Sequence, residues 1–200
     1  MQQRVESPSE GSSRTVYISR LPVRPATGVY GTHKRVYEAV GRNARPIWRR
    51  FDDVALVVAS APGAGCETKV YDPRIGAGQR LRFDLLAQVT VDRDGKRRDP
   101  VLEARLADPA KHYDDIAREV GTDWLRRREE IAGFRAEELH ATEYDVMDFV
   151  RPQDRRGVRL GVIRFTGVLR CVDSERMRKT LLFGMGHGKA WGCGLLLVAR

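Results

Sequence analysis

The stretch Gly184-Met185-Gly186-His187-Gly188-Lys189-Ala190-Trp191-Gly192-Cys193-Gly194 precedes an apolar run, Leu195-Leu196-Leu197-Val198, at the end of the chain. Five glycines fall within these eleven residues. Glycine accepts positive φ and lets a ligand approach the backbone N–H groups, and a lysine in such a loop favours an anion. The stretch therefore predicts an anion-binding loop that leads into a buried last strand. A flexible turn is the alternative.

Two common phosphate loops do not match this stretch. A P-loop needs four residues between its first glycine and Gly-Lys-Ser/Thr, whereas Gly184 is followed by three residues and Lys189 by Ala190. The dinucleotide pattern Gly-x-Gly-x-x-Gly requires a glycine where Lys189 stands, and no βαβ unit fits into the remaining residues. A magnesium-dependent nucleotide enzyme is therefore disfavoured, and a loop that grips a polynucleotide backbone remains.

Composition indicates a folded chain with a polyanionic partner. The 200 residues are 42% hydrophobic, and 36 Lys and Arg against 27 Asp and Glu give a net charge of +9. No long apolar run or leader pattern is present, so we expect neither a membrane span nor a signal peptide. The odd number of cysteines is typical of reduced thiols in a cytoplasmic protein. The histidines and cysteines show no metal-ligand spacing, so no metal or cofactor is expected.

Residues 1–13 are polar and predict a disordered tail. Residues 14–93 predict a first domain, and residues 94–200 a second one that contains the glycine-rich loop. The predicted elements of the first are strand Thr15–Leu21, helix Val29–Val40, strands Arg45–Phe51 and Val54–Ser60, a loop with a helical turn near Cys66–Tyr71, and strand Gln79–Leu85.

The second domain repeats this order of elements. We predict strand Arg97–Leu102, helix Tyr113–Phe134, strands Glu138–Arg151 and Val158–Arg170, a helix capped by Asp173 and ending at Phe183, the glycine-rich loop, and a last strand. Each half thus reads βαββαβ. The predicted fold class is α+β, with two tandem ferredoxin-like (RRM-like) domains.

The helix Val29–Val40 carries an aromatic patch beside its buried stripe. At 100° per residue, Tyr30, His33 and Tyr37 fall together at the border between core and surface, whereas Lys34 faces away. Residues three apart on a helix can share a ligand, and imidazole changes charge near neutral pH. The patch is a candidate acid–base site. An aromatic helix edge packed on the sheet is the alternative.

Three residue groups resemble the CasE family, the CRISPR RNA repeat-processing endoribonuclease of the type I-E Cascade complex. They are the glycine-rich loop from Gly186 to Leu196, the segment Tyr30-Gly31-Thr32-His33, and the segment from Gly78 to Phe83. The resemblance covers about residues 14–200 and implies RNA cleavage without a metal, in which a 2′-hydroxyl attacks the adjacent phosphate. The products would carry a 2′,3′-cyclic phosphate and a 5′-hydroxyl.

The resemblance also implies site residues and partners. Tyr30 and His33 would be catalytic. The repeat hairpin would be held by backbone and side-chain donors, and the protein would stay within Cascade beside its other subunits; the expected RNA contacts are Lys34, Arg35, Arg155, Arg156, Arg159, Gly186, Gly188 and Lys189. A subunit that binds the RNA hairpin without cutting it is the alternative.

Overall fold

The computed structural model describes residues 15–152 and 154–200. The predicted tail, residues 1–13, lies outside them. The described chain forms two four-stranded antiparallel sheets and one two-stranded hairpin. No helix in this part of the chain is long and apolar enough to span a membrane.

The first domain has the predicted ferredoxin-like strand order with one helix fewer. Its sheet order is β2-β3-β1-β4, and all neighbours are antiparallel. The elements are β1 (Tyr17–Pro22), α1 (Val29–Val40), β2 (Ile47–Phe51), β3 (Val54–Ala59) and β4 (Glu67–Val70). The predicted bounds of α1 are confirmed. Helix α1 ends at Gly41, whose φ of 82° is a conformation that favours glycine.

The helical turn predicted near Cys66–Tyr71 is wrong. Glu67–Val70 is an edge strand that pairs with β1, and the hydroxyls of Ser19 and Thr68 lie 2.8 Å apart across that pair. Thr and Val favour a pleated strand, and a strand edge was available on β1. A loop therefore replaces the second helix of the usual order.

The second domain also has the ferredoxin-like order, β10-β5-β9-β8. Its elements are β5 (Arg80–Gln88), β6 (Val91–Arg93), β7 (Lys96–Arg98), α2 (Pro100–Ala107), α3 (Tyr113–Arg126), α4 (Glu129–Ala132), β8 (Phe134–Val150), β9 (Gly157–Cys171), α5 (Ser174–Phe183) and β10 (Leu196–Ala199). The predicted fold class is thus confirmed. Asp173 caps α5 as predicted, because its carboxylate accepts hydrogen bonds from Glu175 N–H and Arg176 N–H.

The predicted domain boundary between residues 93 and 94 does not match the point at which the chain passes from the first sheet to the second. β5 pairs with β9 and β10 of the second sheet, so the chain passes from one domain to the other between Val70 and Arg80. The alternation of Leu81, Phe83 and Leu85 identifies a half-buried strand, but it carries no information about the strand's neighbours. β5 is the first strand of the second domain rather than the last of the first.

Two further predicted elements need correction. The strand Arg97–Leu102 is instead the hairpin strand β7 followed by α2, because Asp99 caps a helix that begins at Pro100. The long helix stops at Arg126, eight residues before its predicted end at Phe134. The chain then makes the short α4 and turns at Gly133, whose φ is 81°.

The two domains share a buried core at their interface. Val16, Ile47 and Val58 of the first domain pack with Leu182 and Leu195 of the second. The glycine-rich loop lies against this interface, since Trp48 Nε1–H of the first domain donates to Ala190 O of the loop over 3.2 Å. The three cysteines are all free thiols. This packing places α1 next to the loop.

Candidate active site at the domain interface

Helix α1 brings the predicted aromatic patch together. The ring centroids of Tyr30 and His33 are 6.1 Å apart, and those of His33 and Tyr37 are 4.5 Å apart. All three side chains are partly buried. Their common face is confirmed, and Tyr30 and His33 pack against Trp191 of the glycine-rich loop, whereas Tyr37 also packs against the core of its own domain.

One carbonyl of the loop holds His33. Ala190 O lies 2.9 Å from His33 Nδ1 and also accepts a hydrogen bond from Trp48 Nε1–H over 3.2 Å. Trp191, the next residue, places its ring 4.4 Å from the imidazole and 6.4 Å from the ring of Tyr30. The loop therefore fixes the position and the plane of the imidazole ring.

The same contact selects the tautomer of His33. A carbonyl oxygen accepts hydrogen bonds and has no proton to give, so Nδ1 must carry the hydrogen. In the neutral ring, Nε2 then has a free lone pair. His33 can accept a proton at Nε2 and can return it, while Nδ1–H stays bonded to Ala190 O.

The imidazole borders an open cavity of about 600 Å³. Its lining contains three cationic side chains and two carboxylates, together with the four rings of the aromatic patch and Trp191; the charged ones are Lys34, Arg42, Arg151, Glu38 and Asp154. Lys34 and Glu38 form an exposed pair at 3.9 Å, and Arg151 and Asp154 a closer one at 2.7 Å. The cavity keeps a cationic surplus suited to an anion.

The N-terminus of α1 adds a positive end to this cavity. Its N-cap is Gly28, no side chain caps the first turn, and that turn contains no acidic residue. The first backbone N–H groups of a helix lack intrahelical acceptors and favour negative charge. Tyr30 lies within this turn, so a phosphate beside Tyr30 would meet these groups.

The turn between β8 and β9 approaches the same cavity. Arg151, at its start, lines the cavity, and the predicted RNA contacts Arg155, Arg156 and Arg159 are exposed beyond it. Phe149 on β8 packs its ring 4.7 Å from Trp191. The fold thus brings the basic turn to α1, although the two are far apart in the chain.

The predicted loop contacts are less open to a ligand than expected. A Cβ on Gly186 would lie 3.1 Å from the Trp124 ring, and one on Gly188 would lie 3.1 Å from Gln88 Oε1. Both have φ near +70°, so packing and backbone conformation require glycine here. These residues therefore shape the loop against the second domain.

Lys189 already has internal acceptors. Its ammonium donates to Phe183 O over 2.8 Å and to Gly184 O over 3.1 Å, at the C-terminal end of α5. Burial lowers the pKa of the Lys189 ammonium. The side chain completes the last turn of α5, where a cation is favoured. This differs from the phosphate contact that the sequence predicted.

Sequence reasoning missed several residues of the site: Trp48, Ala190, Trp191, Arg42 and Arg151. A tryptophan within a glycine-rich loop is a usable signal, because a large ring there needs a surface to pack on. A backbone carbonyl carries no side-chain signal. Nothing in the sequence distinguishes Arg42 and Arg151 from the other arginines, and only the fold places them in the cavity with His33.

This protein therefore belongs to the class of proteins with two tandem ferredoxin-like domains, and it has a histidine and a tyrosine in a cationic cavity at the domain interface. The chain belongs to the family described as CRISPR associated protein, whose model matches residues 16–200.

Known proteins of similar sequence and structure agree with this assignment. CRISPR-associated endoribonuclease Cse3 of Thermus thermophilus is 33% identical over 143 residues, which are 66% of this chain and 61% of that protein, less than two thirds of its length. Thermus thermophilus Cse3 bound to an RNA representing a pre-cleavage complex is 26% identical, with a TM-score of 0.73, over 93% of this chain and 100% of that chain. A chain of E. coli Cascade bound to a double-stranded DNA target shares the fold, with a TM-score of 0.55 and 18% identity over 92% of this chain and 98% of its own length.

Proposed function

We propose that this protein is an endoribonuclease that cuts CRISPR precursor RNA within its repeat hairpins. The observation that carries the proposal is the hydrogen bond of His33 Nδ1 to Ala190 O, which leaves Nε2 free beside Tyr30 in a cationic cavity. The relatives named Cse3 are endoribonucleases, and one is described with a pre-cleavage RNA. The arrangement of the site around His33 and the similarity to Cse3 both support endoribonuclease activity.

The proposed reaction is a transesterification without a metal ion. A base removes the proton of the 2′-hydroxyl, whose oxygen attacks the adjacent phosphorus as the bond to the 5′-oxygen breaks. That oxygen takes up a proton, which leaves a 2′,3′-cyclic phosphate and a 5′-hydroxyl. His33 Nε2 carries one of these two proton transfers, and the Tyr30 hydroxyl, one helical turn away, hydrogen-bonds the reacting group.

Charge stabilisation in this reaction comes from the lining of the cavity. The phosphorane gains negative charge, which Lys34, Arg42 and Arg151 offset together with the uncapped N–H groups of α1. Trp191 and Ala190 keep the imidazole fixed while its charge changes. Donors that are already oriented need no rearrangement during the reaction.

RNA binding is proposed for the exposed basic residues around the cavity. Arg155 and Arg156 on the β8–β9 turn and Arg159 near the start of β9 contact the hairpin backbone. Lys34 and Arg35 on α1 contact the strand near the cut. Gly186, Gly188 and Lys189 contribute by holding the loop that positions His33. After the cut the protein keeps its product and joins the other subunits of Cascade.

Replacing His33 tests the proposal. A repeat hairpin RNA is incubated with wild type, His33→Ala and His187→Ala, all in EDTA, and the end groups of the product are determined by mass spectrometry. We expect His33→Ala to slow cleavage by about 10²- to 10⁴-fold, as for loss of an acid–base group, with little change in RNA affinity. His187→Ala, an exposed histidine outside the cavity, should cut like wild type.

The outcomes separate the two candidate functions. Undiminished cutting by His33→Ala would contradict the assignment of His33, and cutting that EDTA abolishes would contradict the metal-free reaction. Tight binding with intact RNA after long incubation would identify a binding subunit without turnover.

A further inference from the structure

A second cavity also borders Trp191. Its volume is about 370 Å³, and Trp191 lines both this cavity and the one that contains His33. Its walls come from both domains and are mostly apolar, with three charged residues among them; the apolar side chains include Pro25, Trp48, Leu86, Met147 and Trp191, and the charged ones are Arg49, Arg50 and Asp52. We call it the base cavity.

The base cavity lies next to the proposed reaction site, because adjacent residues of α1 line the two cavities. Val29, the first residue of α1, lines the base cavity, whereas Tyr30 lines the cavity that contains His33, which we call the reaction cavity. Likewise, Met147 on β8 lines the base cavity, and Arg151, just beyond the end of that strand, lines the reaction cavity. An RNA strand with its phosphate beside Tyr30 therefore has a neighbouring nucleotide within reach of the base cavity.

The chemistry of the walls favours a flat aromatic ligand. Indole rings and a thioether give stacking and dispersion contacts to any nucleobase. The Arg49 side chain is only 10% exposed and bonds Asp84 at 3.3 Å, while its Nη1 meets no acceptor in the described chain. Arg50 also lines the cavity, and its guanidinium donates to the backbone oxygens of Arg24, Pro25 and Asp52.

We propose that the base cavity binds the base of a nucleotide next to the cleaved phosphate and so helps to set the position of the cut. This inference rests on the proposed function, since it needs an RNA strand at His33. Trp191 then has two roles, since it packs against the His33 ring and also lines the cavity that receives the base. Single-stranded nucleotides with splayed bases are the usual target of such aromatic surfaces.

The test combines altered RNA with a filled cavity. The RNA is the repeat hairpin with a 2′-deoxy nucleotide at the cut, which binds without cleavage, and with an abasic site at one or the other nucleotide flanking that phosphate. For wild type, one of the two abasic sites should weaken binding about 10-fold, as for loss of one stacked base. Met147→Trp, which fills the cavity, should weaken binding of the intact RNA similarly.

The diagnostic result is that the two losses do not add. Met147→Trp should bind the sensitive abasic RNA about as well as wild type does, because the base it excludes is already missing. Val146→Trp, the neighbouring position on β8, which does not line the base cavity, is the matched control and should bind intact RNA like wild type. Leu86→Phe fills the cavity from β5 and repeats the test if Met147→Trp unfolds.

Additive losses, or no sensitivity of wild type to either flanking base, would overturn the base cavity while leaving the proposed function in place. Failure of wild type to bind or cut the hairpin would instead overturn the proposed function. The two failures are therefore distinguishable in one set of measurements.

Discussion

Two neighbouring residues of the glycine-rich loop, Lys189 and Ala190, have different structural roles. Ala190 O accepts a hydrogen bond from His33 and thereby determines which imidazole nitrogen is available to substrate. Lys189, the preceding residue, turns its ammonium to two carbonyls at the end of α5. The lysine is therefore a structural cation, and its contribution to the site is the shape of the loop.

This role of Lys189 is tested by Lys189→Met, which keeps the aliphatic stem. We expect the free energy of unfolding to fall by about 1–2 kcal/mol, because charge-assisted hydrogen bonds to α5 are lost. The salt dependence of RNA binding should stay unchanged. Urea unfolding and a salt titration of hairpin affinity provide the two measurements.

Lys34→Met is the matched control, since Lys34 is 69% exposed and pairs weakly with Glu38. Its unfolding free energy should change by less than about 0.5 kcal/mol, while the salt slope should fall by about one. The reverse pattern, with Lys189→Met reducing the slope and leaving stability intact, would return Lys189 to the RNA surface.

The long β8–β9 hairpin is the element that carries the basic turn to the site. Its pairing shifts register twice, between Ala136 and Glu138 and between Thr142 and Asp145. Such bulges bend a ribbon and increase its twist. Phe149 near the end of β8 then contacts Trp191, and Arg151 enters the lining of the reaction cavity.

The basic turn makes an element-scale prediction. The double variant Arg155→Gln and Arg156→Gln should weaken hairpin binding and reduce the salt slope by about two, because each exposed arginine accounts for one phosphate contact. Cleavage at saturating protein should be little changed, since neither residue lines the reaction cavity. Hairpin affinity measured across a salt titration and single-turnover cleavage rates give the two readouts.

Arg118→Gln on α3 with Arg127→Gln, directly after that helix, is the control, because it removes the same charge from another surface. Equal losses of affinity for the two double variants would show that net charge, and not the turn, is responsible. A turn variant that binds like wild type would also contradict the predicted contact.

The whole molecule depends on the interface between its two domains. An apolar cluster spans the interface, and the buried Arg49 of β2 bonds Asp84 of β5, which also bonds Arg164 of β9. The reaction cavity takes His33 from one domain and Trp191 and Arg151 from the other. Neither domain alone contains the site.

The shared core predicts one cooperative unfolding transition. Leu195 is 2% exposed and packs at the interface, so Leu195→Ala should lower the free energy of unfolding by about 2–5 kcal/mol. Far-UV circular dichroism and tryptophan fluorescence should report the same midpoint. Two separate transitions, of which only one moves in the variant, would show that the domains unfold independently.

Local pattern was enough to predict much of this fold. The bounds of α1, the capping of α5 by Asp173 and the strand character of β5 follow from periodicity and end signals that act over a few residues. The edge strand β4 and the partners of β5 were not predictable in that way. They depend on which strand edges the rest of the chain leaves open.

The sequence by itself determined that Tyr30 and His33 share one face, because residues three apart on a helix are neighbours wherever that helix packs. It also determined a glycine-rich loop before a buried last strand. Only the tertiary structure decided that this loop meets α1, that Ala190 O holds Nδ1 of His33, and that Lys189 turns inward. His33 and Ala190 are separated by 157 residues, and no local interaction can specify a contact over that distance. The packing of Ile47 and Val58 against Leu182 and Leu195 brings the two together, because burying that surface is favourable only when the domains dock in this arrangement.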